Sequence, residues 1–235
     1  MSHRYGGPVP AVFTYVVRVS AVVVVLAITG TVPWAPSSVR GAQLTLSPRE
    51  VDEAILIGQS RIAADRTRFH APYRVNAGQG PVDFVDVVTP FRRVVLAADE
   101  RAQIGDRSFG QQKGSDLLEA ANGQFDFDVD LTFHPLNTFV GIPAYDVVMY
   151  RGTTRVLPVT LDRVPRYGAR VDGLPSAVPR PAGPVLPRGS QPMLGGTLVA
   201  RFAGDSLDAA GVMRFEVIDQ GSVLASLSID LGRLR

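Results

Sequence analysis

The sequence predicts an α+β protein that is mainly an antiparallel β-sandwich of Ig-like, two-layer form, preceded by two amphipathic helices. Three observations carry this prediction. Residues 125–135 alternate strictly between apolar and polar side chains. Further strand-like segments follow, and helix-capping patterns occur at Ser47 and Thr89. The cysteine-free chain has 235 residues, 46% of them hydrophobic, which is enough to bury a sizeable core.

The segment Phe-Asp-Phe-Asp-Val-Asp-Leu-Thr-Phe-His-Pro at 125–135 is the clearest strand in the chain. Side chains on a strand alternate between its two faces, so one face is apolar and the other is acidic. The apolar face consists of Phe125, Phe127, Val129, Leu131 and Phe133. The opposite face consists of Asp126, Asp128, Asp130, Thr132 and His134. The apolar face needs a second layer, which the other predicted strands would supply.

Ser-Pro-Arg-Glu at 47–50 is a capping box that predicts a helix start, with Ser47 as N-cap. The pattern predicts a helix to about Arg66, with Val51, Ile55 and Ile62 on its buried side.

Thr89 and Pro90 predict the start of a second helix, and Gly105 predicts its end. Phe91, Val94, Val95, Ala98 and Ala102 would form its buried side. Arg92 and Arg93 would face water.

Strand patterns before residue 125 are expected at 73–75 and 82–88, and one or two helical turns are expected at 116–121. The strands expected after it are 138–142, 145–150, 155–162, 196–202, 211–219 and 222–231. Pro158 predicts an edge or a bulge, and Gln220-Gly221 predicts a hairpin. The proline-rich stretch 171–192 predicts an extended loop. The predicted divisions are therefore a leader at 1–41, an α+β subdomain at 42–124 and the sandwich at 125–235.

The first 41 residues have the pattern of a secretory signal peptide. Arg4 and Arg18 precede an uncharged apolar run at 21–32, and small residues follow it. Cleavage after Ser37 or after Gly41 fits the small-residue requirement. The alternative is an uncleaved anchor, since residues 8–34 are long enough to span a bilayer. We therefore expect a protein exported from a bacterial cell to the periplasm or the outside, anchored to the membrane if residues 8–34 are retained.

Charge and cysteine content exclude several classes of function. Of the 24 basic residues, three lie in the first 42, which contain no acidic residue. The remainder therefore carries 21 basic and 22 acidic residues, a formal charge of −1. A domain without surplus positive charge is a poor match for nucleic acid. The absence of cysteine excludes disulfides, thiol catalysis and cysteine-ligated zinc.

The row Asp126, Asp128 and Asp130 is a candidate metal site, because neighbouring carboxylates on one strand face lie about 6–7 Å apart and repel each other. Ca²⁺ is the cation that would suit them. An EF-hand loop is excluded, since Leu131 and Asn137 occupy the positions that need glycine and glutamate. The alternative is an outer sheet face whose charges are balanced by arginines on neighbouring strands.

Phe-Ala-Gly-Asp-Ser-Leu at 202–207 resembles the nucleophile block of GDSL esterases over these few residues only. That resemblance implies Ser206 as nucleophile and an Asp-x-x-His pair near the end of the domain. No histidine follows Leu207, so the base is missing and the segment is read as a turn between strands.

No residue is assigned a catalytic role from the sequence. Beyond the leader, the histidines are His70 and His134, which have no metal-ligand spacing. The predicted function is a non-catalytic binding or structural module of the bacterial cell envelope, whose partner is an unidentified protein or envelope component. Two alternatives remain open. One is a hydrolase with a site scattered over loops, and the other is a Ca²⁺-stabilised adhesion-type sandwich.

Overall fold

The computed structural model describes residues 41–134, 137–167 and 193–235, which lie in one compact unit. Its helices are α1 (Pro48–Gly58), α2 (Ala63–His70), α3 (Pro90–Gln103) and α4 (Gln111–Ala121). Its strands are β1 (Arg74–Gln79), β2 (Val82–Val88), β3 (Gln124–Thr132), β4 (Asp146–Arg151), β5 (Thr154–Val156), β6 (Thr160–Tyr167), β7 (Met193–Ala203), β8 (Val212–Asp219) and β9 (Ser222–Asp230).

The strands form two sheets, and every pairing is antiparallel. One sheet has five strands in the order β1-β2-β3-β7-β6, and the other has four in the order β5-β4-β8-β9. The predicted α+β class with mainly antiparallel sheet is therefore confirmed. The hairpin predicted at Gln220-Gly221 joins β8 to β9.

Strand β3 is the centre of the five-stranded sheet, and its apolar face points into the main core. Phe127 is fully buried, lies 5.4 Å from Phe202 of the same sheet and stacks on Phe215 of the other sheet at 5.6 Å. The main cluster of buried side chains includes residues of both sheets. The two sheets therefore share one apolar core, as the alternation at 125–135 predicted.

The helices α1, α3 and α4 form a second, smaller apolar cluster that includes Val51, Phe91 and Val94. The capping box at Ser47 is present as predicted, with side-chain bonds in both directions between Ser47 and Glu50. A Cβ on Gly58 would collide with the Val95 carbonyl oxygen. Glycine at this position lets α1 and α3 approach closely.

The predicted first helix is wrong in its length. It ends at Gly58, with Gln59 as its C-cap. The backbone is extended at Ile62, which interrupts the helix, and α2 begins separately at Ala63. Ile62 is 60% exposed and does not extend the buried side of α1. The second predicted helix is confirmed as α3, with the Thr89 hydroxyl accepting from the Arg92 amide. In the region of the predicted turns at 116–121, the longer helix α4 is found.

Two strand predictions need correction. Residues 138–142 are not in a strand. The segment 155–162 is divided between β5 and β6, which belong to different sheets. Pro158 lies in the crossing between them, where a residue without an N–H removes no ladder hydrogen bond.

The region 42–124, predicted as an α+β subdomain, contributes two strands to the five-stranded sheet. These are β1 and β2, and β2 pairs directly with β3. Residues 74–88 are therefore part of the five-stranded sheet.

The leader at 1–40 and the proline-rich stretch 171–192 lie outside the described residues. Within the part that is described, none of the helices has the length and apolar character needed to cross a membrane.

Replacing Phe127 with alanine tests the placement of the core. We expect the free energy of unfolding to fall by about 3–5 kcal/mol, because a fully buried ring in contact with both sheets is lost. Val140→Ala is the matched surface control, since Val140 is 90% exposed, and it should change stability by no more than about 0.5 kcal/mol. Urea unfolding of both variants measures the difference. Equal stabilities would show that the core is placed wrongly.

Candidate functional site

The outer face of the five-stranded sheet carries a group of aspartates and arginines on neighbouring strands, and we call this surface the charged face. It comprises Asp86 on β2, Asp126, Asp128 and Asp130 on β3, Asp162 and Arg166 on β6, and Arg201 on β7. Asp86 lies directly opposite Asp128, and Asp126 lies opposite Arg201. The three aspartates predicted to share one face do so, and Asp86 adds a fourth carboxylate to the row.

Arginines on neighbouring strands balance part of this charge. Arg166 binds Asp130 at 2.8 Å. Arg201 binds Asp162 at 2.7 Å, and its Nε lies 3.8 Å from Asp126, which is too far for a hydrogen bond. The expectation that neighbouring strands would supply arginines is therefore met at these positions.

Arg92 is the most deeply buried charge in this region, which corrects the expectation that it would face water. Its side chain is only 6% exposed. The guanidinium donates to the Val87 carbonyl oxygen at 2.8 Å and to Asp86 Oδ1 at 3.3 Å. It also lies 4.9 Å from the centre of the Tyr73 ring. The first turn of α3 thus directs this cation back onto the end of β2.

Arg93, also expected in water, turns toward β3. One of its terminal nitrogens lies 3.1 Å from Asp126 Oδ2 and 3.1 Å from the Gln124 carbonyl oxygen. Helix α3 therefore supplies one cation to β2 and another to β3. Because Asp126 is only 15% exposed, this pair is less screened by solvent than a surface ion pair.

Asp128 differs from its neighbours, since no ion pair with an arginine is found for it among the described residues. Burial, together with the negative charges of Asp126 and Asp86, raises the pKa of Asp128 to about 6. Arg92 and Arg93 oppose this effect but do not cancel it. Two carboxylates facing each other across neighbouring strands favour retention of a proton by one of them.

A polar cavity of about 470 Å³ lies beside the charged face. Arg66, His70, Arg74, Asp86, Arg92 and Asp99 contribute its charged and titratable lining. His70 Nδ1 accepts from Arg92 Nε at 3.4 Å. Burial, and then the Arg92 charge, lower the pKa of His70 below its usual value. A neutral imidazole that accepts at Nδ1 carries its proton on Nε2, so His70 is held in one tautomer.

The fold places Asp86 beside the row Asp126, Asp128 and Asp130, but these carboxylates do not form a metal-binding group. Across the described ranges, no group of three or more His, Cys, Asp or Glu side chains is arranged to hold a metal ion. Asp126 and Asp130 instead contact arginines. The Ca²⁺ site remains a prediction from the spacing alone.

The serine of the GDSL-like segment lies in a short 3₁₀ turn after β7, as the turn interpretation predicted. Its hydroxyl donates to the Ala203 carbonyl oxygen at 2.6 Å. This bond holds the side chain against its own turn. His134 follows β3 at an exposed position, and its carbonyl oxygen accepts from the Asn137 amide at 2.9 Å.

Several residues of the site were not identified from the sequence. Asp86 had a usable signal, because it alternates with Val85 and Val87 as Asp128 alternates with Phe127 and Val129. The positions of His70 and Arg92 had no comparable signal, since they depend on how α2 and α3 pack against β1 and β2.

The fold and site thus define a class: an α+β protein with two antiparallel sheets and a charge-compensated outer sheet face. Comparison with protein-family models, curated proteins and solved structures finds no significant match to this chain.

Replacing Arg92 with methionine tests the buried cation. We expect the free energy of unfolding to fall by about 3 kcal/mol, because Asp86 and the Val87 carbonyl lose their buried donor. Arg74 still contacts Asp86 at 2.7 Å, which keeps the loss at the lower end of the range for broken buried pairs. Arg68→Met is the control, since that side chain is 81% exposed. Chemical unfolding that fails to separate the two variants would contradict the assignment.

Replacing Asp128 with asparagine tests the raised pKa. The folded protein retains a proton up to about pH 6, whereas the unfolded chain releases it near 3.8. As the pH rises from about 3.8 to about 6, ionisation of Asp128 therefore lowers the free energy of unfolding. This loss of stability is complete above that range. At about pH 7.5 the variant should have a higher melting temperature than the natural protein. At about pH 4 the two melting temperatures should differ little. Asp83→Asn, at an exposed position of β2, should give no such pH-dependent gain.

Proposed function

We propose that this chain is an exported, non-catalytic binding or structural module of the bacterial cell envelope. The leader pattern at 1–41 supports export. The charged face is the single observation that best supports a binding or structural role. Its carboxylates are largely committed to arginines from α3, β6 and β7. A carboxylate paired with an arginine is stabilised in its charged form, which makes it a poor proton donor near neutral pH.

The polar cavity next to this face supports binding more specifically. It places the buried Arg92 beside Asp86 and the half-buried His70 within one concave surface. Concave sites with a few fixed polar groups are typical of ligand recognition. The partner proposed is a polar component of the envelope or a protein that presents charged side chains, because eight of the ten residues that line this cavity have polar or charged side chains.

Fractionation of a bacterial culture that expresses the full chain tests export. The expected result is recovery from the periplasm or the medium, or from the membrane if residues 8–34 are retained. Recovery from the cytoplasm with an intact leader would contradict the proposal.

A panel of ester and glycoside substrates tests the non-catalytic assignment on the exported protein, and no turnover is expected. Turnover that is lost in Asp128→Asn or His134→Ala would favour the alternative of a hydrolase. Turnover that survives Ser206→Ala would still exclude the GDSL-type mechanism.

Thermal unfolding with Ca²⁺ and with EDTA separates the proposal from a Ca²⁺-stabilised adhesion module. We expect the same midpoint in both conditions, because arginines already balance much of the aspartate row. A midpoint that rises with Ca²⁺, and no longer rises in Asp126→Asn, would establish the cation site instead. Asp83→Asn is the control that should leave any such rise intact.

A further inference from the structure

The segment Gly41-Ala42 is built into the interior of the fold. Ala42 is only 2% exposed and belongs to the main core cluster. Its amide lies 3.0 Å from the Ala209 carbonyl oxygen and 3.1 Å from the Leu231 carbonyl oxygen. One backbone N–H therefore bridges the turn before β8 and the turn after β9.

Gly41 fits this position because it has no side chain. A Cβ at residue 41 would collide with the Ala209 carbonyl oxygen and lie 2.9 Å from the Ala210 Cα atom. These neighbours are backbone atoms, which cannot move aside as the end of a flexible side chain can. Gly41 is therefore a packed residue of the folded unit and not only a small residue near a cleavage site.

Two peptide bonds satisfy the small-residue requirement of signal cleavage. One follows Ser37, with Ala35 two residues before it, and the other follows Gly41, with Val39 two residues before it. Cleavage after Gly41 would remove the packed glycine. It would also convert the Ala42 amide into a charged ammonium at a position that is 2% exposed, and burial of a charge is costly.

We infer that signal cleavage occurs at the bond between Ser37 and Ser38, which keeps Gly41 in the mature chain. In this hydrolysis the bond between the Ser37 carbonyl carbon and the Ser38 nitrogen breaks, the hydroxyl of water adds to the carbon, and the remaining proton of water goes to the nitrogen. The new carboxylic acid then gives its proton to the amine, which leaves a carboxylate at Ser37 and an ammonium at Ser38. The new ammonium then lies four residues before Ala42. The peptidase acts on the extended precursor, so the fold does not guide the enzyme. The fold determines which product packs completely.

This inference rests on the proposed export, and one experiment separates the two. The full chain is expressed in a bacterial host, the exported product is isolated, and its N-terminus is determined by sequencing and intact mass. A start at Ser38 is expected. A start at Ala42 would overturn the inference while leaving export intact. An unprocessed chain in the cytoplasm would overturn both.

Two substitutions next to the alternative bonds sharpen the test, and both lie before the packed Gly41. Ser37→Leu places a large residue directly before the proposed bond and should abolish the product that starts at Ser38. Val39→Gln disturbs only the alternative bond and should leave that product unchanged. The opposite result, with Val39→Gln blocking processing and Ser37→Leu leaving it unchanged, would assign the cut to Gly41-Ala42.

Discussion

Compensation of the negative charge on β3 is the constraint on which the outer side of the five-stranded sheet depends. Its carboxylates lie two residues apart, and Asp86 opposes Asp128 across the pairing with β2. Such a row destabilises a sheet unless cations approach it. They come from separate elements: Arg93 from α3, Arg201 from β7 and Arg166 from β6. Ion pairs as well as apolar contacts therefore hold α3 over the ends of β2 and β3.

Arg235 connects the end of the described chain to the helices by the same kind of interaction. Its guanidinium binds both Glu53 oxygens at 2.7 Å and lies 4.4 Å from the centre of the Phe91 ring. The hydrogen bond from Arg235 lowers the pKa of Glu53. Bidentate pairing and ring stacking use the planar guanidinium in ways that lysine cannot reproduce. Arginine pairs thus connect the helices to the rest of the fold at two places. Arg92 and Arg93 in the first turn of α3 contact β2 and β3, and Arg235 contacts Glu53 of α1.

The sequence predicted those features that depend on local periodicity. The apolar face of β3, the capping box at Ser47 and the buried side of α3 all follow from spacing within one element. The environment of Arg92 could not be predicted in this way, because it lies beside the buried stripe of α3 and either solvent or a sheet could have covered it. The same limit applies to the two-sheet division of 155–162. The pKa of Asp128 is raised first by burial and then by Asp126 and Asp86. The burial depends on the packed fold, and Asp86 lies 42 positions earlier in the chain.

The pairing of β3 has a consequence for the order in which the chain can fold. Its two neighbours are distant in sequence: Phe84 pairs with Asp130, and Leu131 pairs with Gly196. A chain made from its N-terminus carries the complete segment Phe125–Phe133 long before β7 exists to cover its open edge. Non-local pairing of this kind slows folding and leaves an apolar strand edge exposed in the meantime. The alternating aspartates on that strand would then act as a solubilising charge on the unfinished sheet before they act as ion-pair partners in the finished one.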